Sequence, residues 1–244
     1  MGDWNRLNHM SELMHSWDLS PADAIALQAR LRERVRLQPL AAPPGLVAGA
    51  DVSMEWHSDV VFAGFVVLTY PGLEIVDRAA VQAVATFPYV PGLLSFREIP
   101  SLLQAWEKLN AKPDLVFVDG VGIAHPRRLG IATHLGLLID RPTIGCAKSV
   151  LTGAYAEPAM SVGSMSPLRD PDTHEPLGMA VRTKAKVKPM FISPGNGLTI
   201  QEAADLVLTC TKKHRMPEPT RQAHLFVNEV RRAVKAGVPS AQGL

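Results

Sequence analysis

Apolar positions recur along this chain with two periods, and the switches between them mark its elements. Ser20-Pro21-Ala22-Asp23 opens a helix: Ser20 suits the N-cap, Pro21 the first turn and Asp23 the positive helix end. The pattern carries this helix to about Leu37, before Pro39 and Pro43-Pro44. Leu46–Met54, Val60–Tyr70 and Leu73–Ala83 read as strands, the last two joined through Tyr70-Pro71-Gly72-Leu73, which fits a type II turn. They predict an antiparallel meander. Phe96–Leu109 reads as a helix with Ile99, Leu102, Leu103, Trp106 and Leu109 on one face.

After Pro113 the grammar changes. Leu115–Val118 and Thr143–Ala147 are short, wholly apolar strands separated by the helical pattern of Leu129–Leu138, as in a parallel βαβ unit. Gly178–Thr183 and Met190–Ser193 are further strands, and Thr199–Lys213 and Thr220–Ala236 are helices, the second closed by Gly237 and Pro239. A meander followed by parallel βα units predicts an α/β fold, a ribonuclease H-like mixed sheet flanked by helices. With 244 residues the chain suits one domain over residues 20–237, between a loose lead-in (1–19) and a tail (238–244).

Composition narrows the class. At 47% hydrophobic and 20% charged residues the chain is globular rather than disordered. No apolar run is long enough for a bilayer, and Met1–His15 has no apolar block, so neither membrane nor secretory signal is expected and the location is read as cytoplasmic. Cys146 and Cys210 lack metal-ligand spacing and read as reduced buried thiols. Net charge is only +2, but Arg182, Lys184, Lys186, Lys188, Lys212, Lys213 and Arg215 concentrate positive charge late in the chain, a face for phosphates or simply for solvent.

The candidate chemistry lies where the strand pattern is broken. Asp51 interrupts Leu46-Val47-Ala48-Gly49-Ala50-Asp51-Val52, and Asp119 ends Leu115-Val116-Phe117-Val118-Asp119. A buried carboxylate is costly unless protonated, paired or bound to a cation, and oxygen ligands favour Mg2+ or Mn2+. A turn cap or an arginine partner would equally account for either Asp alone. Glu98 lies near a helix start, where the helix dipole alone favours it, and Lys148 closes an apolar strand, where it meets a phosphate or snorkels. His224 flanks the stripe Ala223, Val227, Val230, Val234, as a ligand or as a structural residue. In Phe87-Pro88-Tyr89-Val90-Pro91-Gly92 two prolines stiffen a loop that presents an aromatic ring, either to a base stack or to its own loop.

Five blocks in order resemble the endonuclease V family, from about Leu46 to His224. They are Ala48-Gly49-Ala50-Asp51-Val52-Ser53; Pro88-Tyr89-Val90-Pro91-Gly92-Leu93-Leu94-Ser95-Phe96-Arg97-Glu98; Val118-Asp119-Gly120-Val121-Gly122-Ile123-Ala124-His125-Pro126-Arg127; Pro142 to Ser149; and Pro217 to His224. The resemblance implies a ribonuclease H-like, Mg2+-dependent endonuclease (Mn2+ a substitute) that recognises deoxyinosine in damaged DNA and hydrolyses the second phosphodiester on its 3′ side, working as a monomer. It implies that Asp51 and Asp119 ligate the metal, that Glu98 is the third acidic position, that Lys148 stabilises charge on the phosphate and that His224 joins the metal or water shell. Tyr89, with Pro88 and Pro91, matches the strand-separating wedge, and Gly92, Leu94, Gly120 and His125 match positions around the extruded base. Two places depart from the family: Val121, where His or Gln is common, and Ser193-Pro194-Gly195-Asn196-Gly197, which lacks the usual His-Arg. Two other functions stay open, an endoribonuclease for inosine-containing RNA and a non-catalytic nucleic-acid-binding module.

Overall fold

The structure is a computed structural model that describes residue 13 and residues 15–55 and 58–237. Its elements, in chain order, are α1 (Pro21–Leu31, followed by a 3-10 turn at Arg32–Arg34), β1 (Leu46–Met54), β2 (Val60–Thr69), β3 (Ile75–Val84), α2 (Leu94–Glu107), β4 (Leu115–Val118), α3 (Ile131–Ile139), β5 (Thr143–Ala147), β6 (Met165–Arg169), β7 (Pro176–Val181), β8 (Met190–Asn196), α4 (Ile200–Thr209) and α5 (Glu218–Lys235). The strands form an eight-stranded mixed sheet in the order β3-β2-β1-β4-β5-β8-β7-β6. β1, β4 and β5 run parallel, and the remaining pairs are antiparallel. The meander followed by parallel βα units is thus present, with helices on both faces.

Strand periodicity builds the two layers. Ala48 and Ala50 of β1, with Val116 and Val118 of β4, face a cluster closed by α1, α2 and α3. Val47, Leu115 and Phe117 point to the other face, under α4 and α5. Each large side chain buried here, such as Phe65, Phe96 or Phe117, contributes roughly 1.5–3 kcal/mol. Helix ends follow their caps. Ser20 Oγ accepts from Asp23 N–H, and Thr199 forms a reciprocal capping box with Glu202.

Several expectations need correction. The first helix stops at Leu31, not near Leu37, because Arg36 pairs elsewhere: its N–H donates to Asn196 Oδ1 (3.0 Å) and its carbonyl accepts from Gly197 N–H (2.8 Å). The turn at Tyr70-Pro71-Gly72-Leu73 is not type II. The Tyr70–Pro71 peptide is cis, the left-handed φ (59°) falls on Leu73, and Leu73 N–H bonds Thr69 O at 2.8 Å. Strand β6 was not anticipated, since Pro167 interrupts its pattern. Arg182 does not belong to a basic face: it is buried and donates to Ala159 O, Pro158 O and Glu157. The exposed charges left there are Lys184, Lys186, Lys188, Lys212 and Lys213. Both cysteines are free and buried. The lead-in falls largely outside the described residues, but Trp17 and Leu19 pack on the core; the tail 238–244 lies wholly outside them. No helix among the described residues is long and apolar enough to cross a membrane.

Candidate active site

Parallel pairing of β1 with β4 brings the two interrupting aspartates together. Ala50 is in register with Val118, and Asp119 N–H donates to Ala50 O (3.1 Å), so Asp51, inside β1, and Asp119, just past the end of β4, lie side by side. Helix α5 packs across β1 and delivers His224, whose Nδ1 lies 2.9 Å from Asp51 Oδ2. Asp51, Asp119 and His224 each offer a ligand atom within 4.8 Å of the others. Lys148, at the end of β5, hydrogen-bonds Asp119 through Nζ.

The electrostatics of this corner are those of carboxylates crowded together and buried. Asp51 is held well above the ordinary carboxylate range, first by burial and then by repulsion from Asp119, against the opposing hydrogen bond of His224. Glu98, buried on the first turns of α2, is pushed up to about 8 by burial, then by Asp51 and Asp119. Two crowded carboxylates and a nearby imidazole are a hard-cation donor set, so the residues present fit a divalent ion.

Glu98 couples proton binding to folding. Its folded pKa of about 8 lies above the ordinary 4.5, so the folded state retains a proton that the unfolded chain releases. The stability from this group is full below the ordinary value and is lost as pH rises towards 8. Glu98→Gln is therefore expected to stabilise the metal-free protein near pH 8, on the order of 3 kcal/mol or several degrees in melting temperature, and hardly at all near pH 4. Melting curves in chelator at the two pH values check this; equal shifts at both would refute it.

Beside the acids lies a cavity of about 370 Å³, lined among others by Tyr89, Gly92, Ser95, Gly120, His125 and Lys148. Leu94 also lines it, and Asp119 sits on its rim shared with the acid cluster. Tyr89 is 70% exposed at the mouth, between Pro88 and Pro91. The loop is anchored at its far end. Gly92, at φ +80°, offers a carbonyl that accepts from Arg127 (2.7 Å), His125 Nε2 (3.0 Å) and Gln28 Nε2 (3.1 Å). His125 is neutral in this role, brought down to about 4 by burial and then by Arg127.

Of the candidate site residues, Tyr89, Pro91, Gly92, Leu94, Asp119, Gly120, His125 and Lys148 line the cavity. Asp51 and His224, the latter 47% exposed, join Asp119 in the acid cluster, Glu98 is buried near it, and Pro88 is exposed outside the cavity lining. Sequence reasoning assigned nothing to Gln28, Arg97 or Arg127. Arg97, itself buried, ties Phe87 O (2.8 Å) and Asp59 (3.0 Å) to α2. Gln28 was visible as a polar residue on the apolar face of α1, between Ala24, Leu27 and Leu31. The two departures have local accounts. Val121 packs against Ala147, Ala180 and Phe191, and Ser193 Oγ accepts from Gly122 N–H (2.8 Å), bracing the loop after Asp119.

Comparison with known proteins agrees in sequence and in shape. The profile of the Endonuclease V family matches residues 29–225. Endonuclease V of Gloeobacter violaceus is 52% identical over 225 residues, 90% of each chain. The crystal structure of Endonuclease V from Streptomyces avermitilis superposes with a TM-score of 0.85 at 41% identity, covering 90% of this chain and 96% of that one. Ciona intestinalis Endonuclease V, solved with a 24mer DNA containing an inosine followed by a ribo-adenosine, has a TM-score of 0.77 at 28% identity, covering 87% and 98%. Together with the paired carboxylates of β1 and β4 and the proline-braced loop, a match of this extent establishes that the chain belongs to the endonuclease V family of nucleases.

Proposed function

We propose that this protein is a DNA-repair endonuclease that recognises deoxyinosine and hydrolyses the second phosphodiester on its 3′ side with Mg2+. The observation that carries the reading is the shared wall: Asp119 belongs to both the acid cluster and the cavity lining, and Lys148, hydrogen-bonded to Asp119, lines the cavity beside it. A base extruded into the cavity leaves its own backbone, and the phosphates 3′ to it, beside those acids. The likeness to an endonuclease V solved on inosine-containing DNA supports the choice of base.

In this reading Asp51 and Asp119 hold the metal, with His224 and Glu98 in contact with the ion or its waters. A divalent ion bound there supplies a polarised phosphate and a water of lowered pKa. Lys148, next to Asp119, neutralises charge that builds on the phosphate. Tyr89, with Pro88 and Pro91, enters the stack and holds the strands apart, while Gly92, Leu94, Gly120 and His125 surround the base. The exposed Lys184, Lys186, Lys188, Lys212 and Lys213 meet flanking phosphates.

The test is cleavage of a labelled duplex with one deoxyinosine, with and without Mg2+, beside an undamaged duplex and an inosine-containing RNA. One metal-dependent nick past the lesion is expected. Faster cutting of the RNA would make the protein an endoribonuclease, and no cutting by folded protein would make it a binding module.

Tyr89→Ala separates the wedge from the chemistry. Because the ring is exposed, the fold is expected to stay intact. Cleavage of a duplex lesion should fall about 10- to 100-fold, in line with ~1–3 kcal/mol of base–aromatic stacking. A single-stranded substrate, which needs no strand separation, should lose less. Equal losses on both would remove the wedge role.

A further inference from the structure

A hydrogen-bonded chain runs from the N-terminal segment to the cavity wall. His15 Nδ1 lies 2.8 Å from Ser16 O, His15 Nε2 lies 2.9 Å from His134 Nε2, and His134 Nδ1 lies 3.1 Å from Ser95 Oγ. Ser95 lines the cavity from the first turn of α2. His134 is completely buried on α3, and rings pack around the relay: Trp17 lies 4.4 Å from His15, and Phe96 lies 5.1 Å from His134, centroid to centroid. Neither histidine belongs to the acid cluster.

The directions of these bonds follow from their ends. A carbonyl only accepts, so His15 Nδ1 carries a hydrogen and donates to Ser16 O. In a neutral ring Nε2 of His15 is then bare, so His134 Nε2 donates to it. That leaves His134 Nδ1 bare, and Ser95 Oγ–H donates to it. Burial lowers the pKa of both imidazoles, that of His134 to about 3, which keeps both rings neutral around neutral pH. The hydroxyl hydrogen of Ser95, a buried side chain of the cavity wall, is thus committed to His134, and only its lone pairs are left for a further partner.

We propose that the His15–His134–Ser95 relay makes Ser95 Oγ an obligate acceptor towards the bound base, and so a specificity-determining group that selects a ring N–H over a bare ring nitrogen. The inference rests on the base-recognition reading above and deepens it. Hypoxanthine carries N1–H where adenine carries a lone pair. An acceptor fixed by a buried relay gains a hydrogen bond from the first and meets lone-pair repulsion from the second, whereas a freely rotating serine would serve either. Guanine shares the N1–H and is set apart by its 2-amino group, not by this contact. His134 and His15 act through Ser95 and are positioning residues.

The experiment compares hypoxanthine with unsubstituted purine, which lacks the N1–H, placed at the same position in one duplex. Binding (fluorescence anisotropy without metal) and single-turnover cleavage are both read. Ser95→Ala is expected to lower the hypoxanthine-to-purine ratio about 10- to 100-fold in both readouts, through the hypoxanthine arm. His15→Ala, at a half-buried side chain outside the acid cluster, frees the tautomer of His134 and is expected to lower the ratio about 3- to 10-fold with the fold intact. Equal losses on both bases in Ser95→Ala, or an unchanged ratio, would overturn the inference while leaving the endonuclease reading in place. A wild-type chain that neither cuts nor prefers the hypoxanthine duplex would overturn both.

Discussion

Asp51→Asn and Asp119→Asn should each reduce metal-dependent cleavage of a deoxyinosine duplex by roughly a thousandfold or more, equivalent to ~4 kcal/mol of transition-state stabilisation. One carboxylate stands inside β1 and the other just past the end of the parallel neighbour β4, and their oxygens, with a ring nitrogen of His224, lie within 4.8 Å of one another. The amide keeps the shape and removes the charge, so what is lost is hold on the cation. The fold should not suffer. Asp51 is strained by burial and by the charge of Asp119, and Asp51→Asn relieves both, so its metal-free melting temperature is expected to equal or exceed that of the wild type. Asp119→Asn differs in one respect: it weakens the charged partner of Lys148, leaving that ammonium freer to follow a phosphate. Single-turnover cleavage across a Mg2+ series, paired with melting curves, checks both halves. Near-wild-type cleavage with an unchanged Mg2+ dependence in either variant would dismiss the metal assignment, and a collapse of melting temperature would show the carboxylate to be structural.

The same two residues explain how much could be read from sequence. A β-strand announces itself by apolar alternation or an apolar run, and a carboxylate breaking that run has to be accounted for; Asp51 and Asp119 were legible for that reason. The Pro-Tyr-Val-Pro loop was legible because proline restricts backbone wherever it occurs. What escaped depends on pairings between distant residues. Helix α1 ends early because Arg36 bonds to Asn196 and Gly197 at the end of β8. Arg182 looked like part of a basic stripe, yet just past β7 it turns inward against Glu157 and three carbonyls; charge along a line does not say which side chains face water. Gln28, Gly92 and Arg127 come from three segments and meet only in the folded loop anchor, and the His15–His134–Ser95 relay is assembled in the same way. The ion itself leaves no mark on sequence beyond the chemistry of its donors.

Gly49→Ala is expected to be the most damaging single methyl that can be added near this site, although it touches none of the acids. Gly49 lies in the middle of β1, paired on one side with Val66 and on the other with Phe117, so the strand cannot yield without disturbing two neighbours. A Cβ there would fall 1.8 Å from Pro219 O, 2.2 Å from Pro219 C and 2.8 Å from Thr220 N. All three are backbone atoms of the first turn of α5, where Pro219 and Thr220 are buried, so no side-chain rotation relieves the clash. The helix has to lift from the sheet, opening the packing of Ala223, Phe226 and Val227. A loss of about 3–5 kcal/mol is expected, at the severe end for overpacking. At 2–4 °C per kcal/mol this is on the order of 10 °C in melting temperature. Function should fall with it even where the protein stays folded, because α5 carries His224 to its 2.9 Å contact with Asp51, so cleavage should need more Mg2+. Gly45→Ala, whose Cβ would meet only Asp114 Oδ2 at 3.6 Å, is the matched control and should stay close to wild type. A Gly49→Ala protein that melts within about 2 °C of wild type and keeps its Mg2+ requirement would show that α5 is not held by this contact, and that the pairing of His224 with Asp51 does not depend on the close approach of helix to strand.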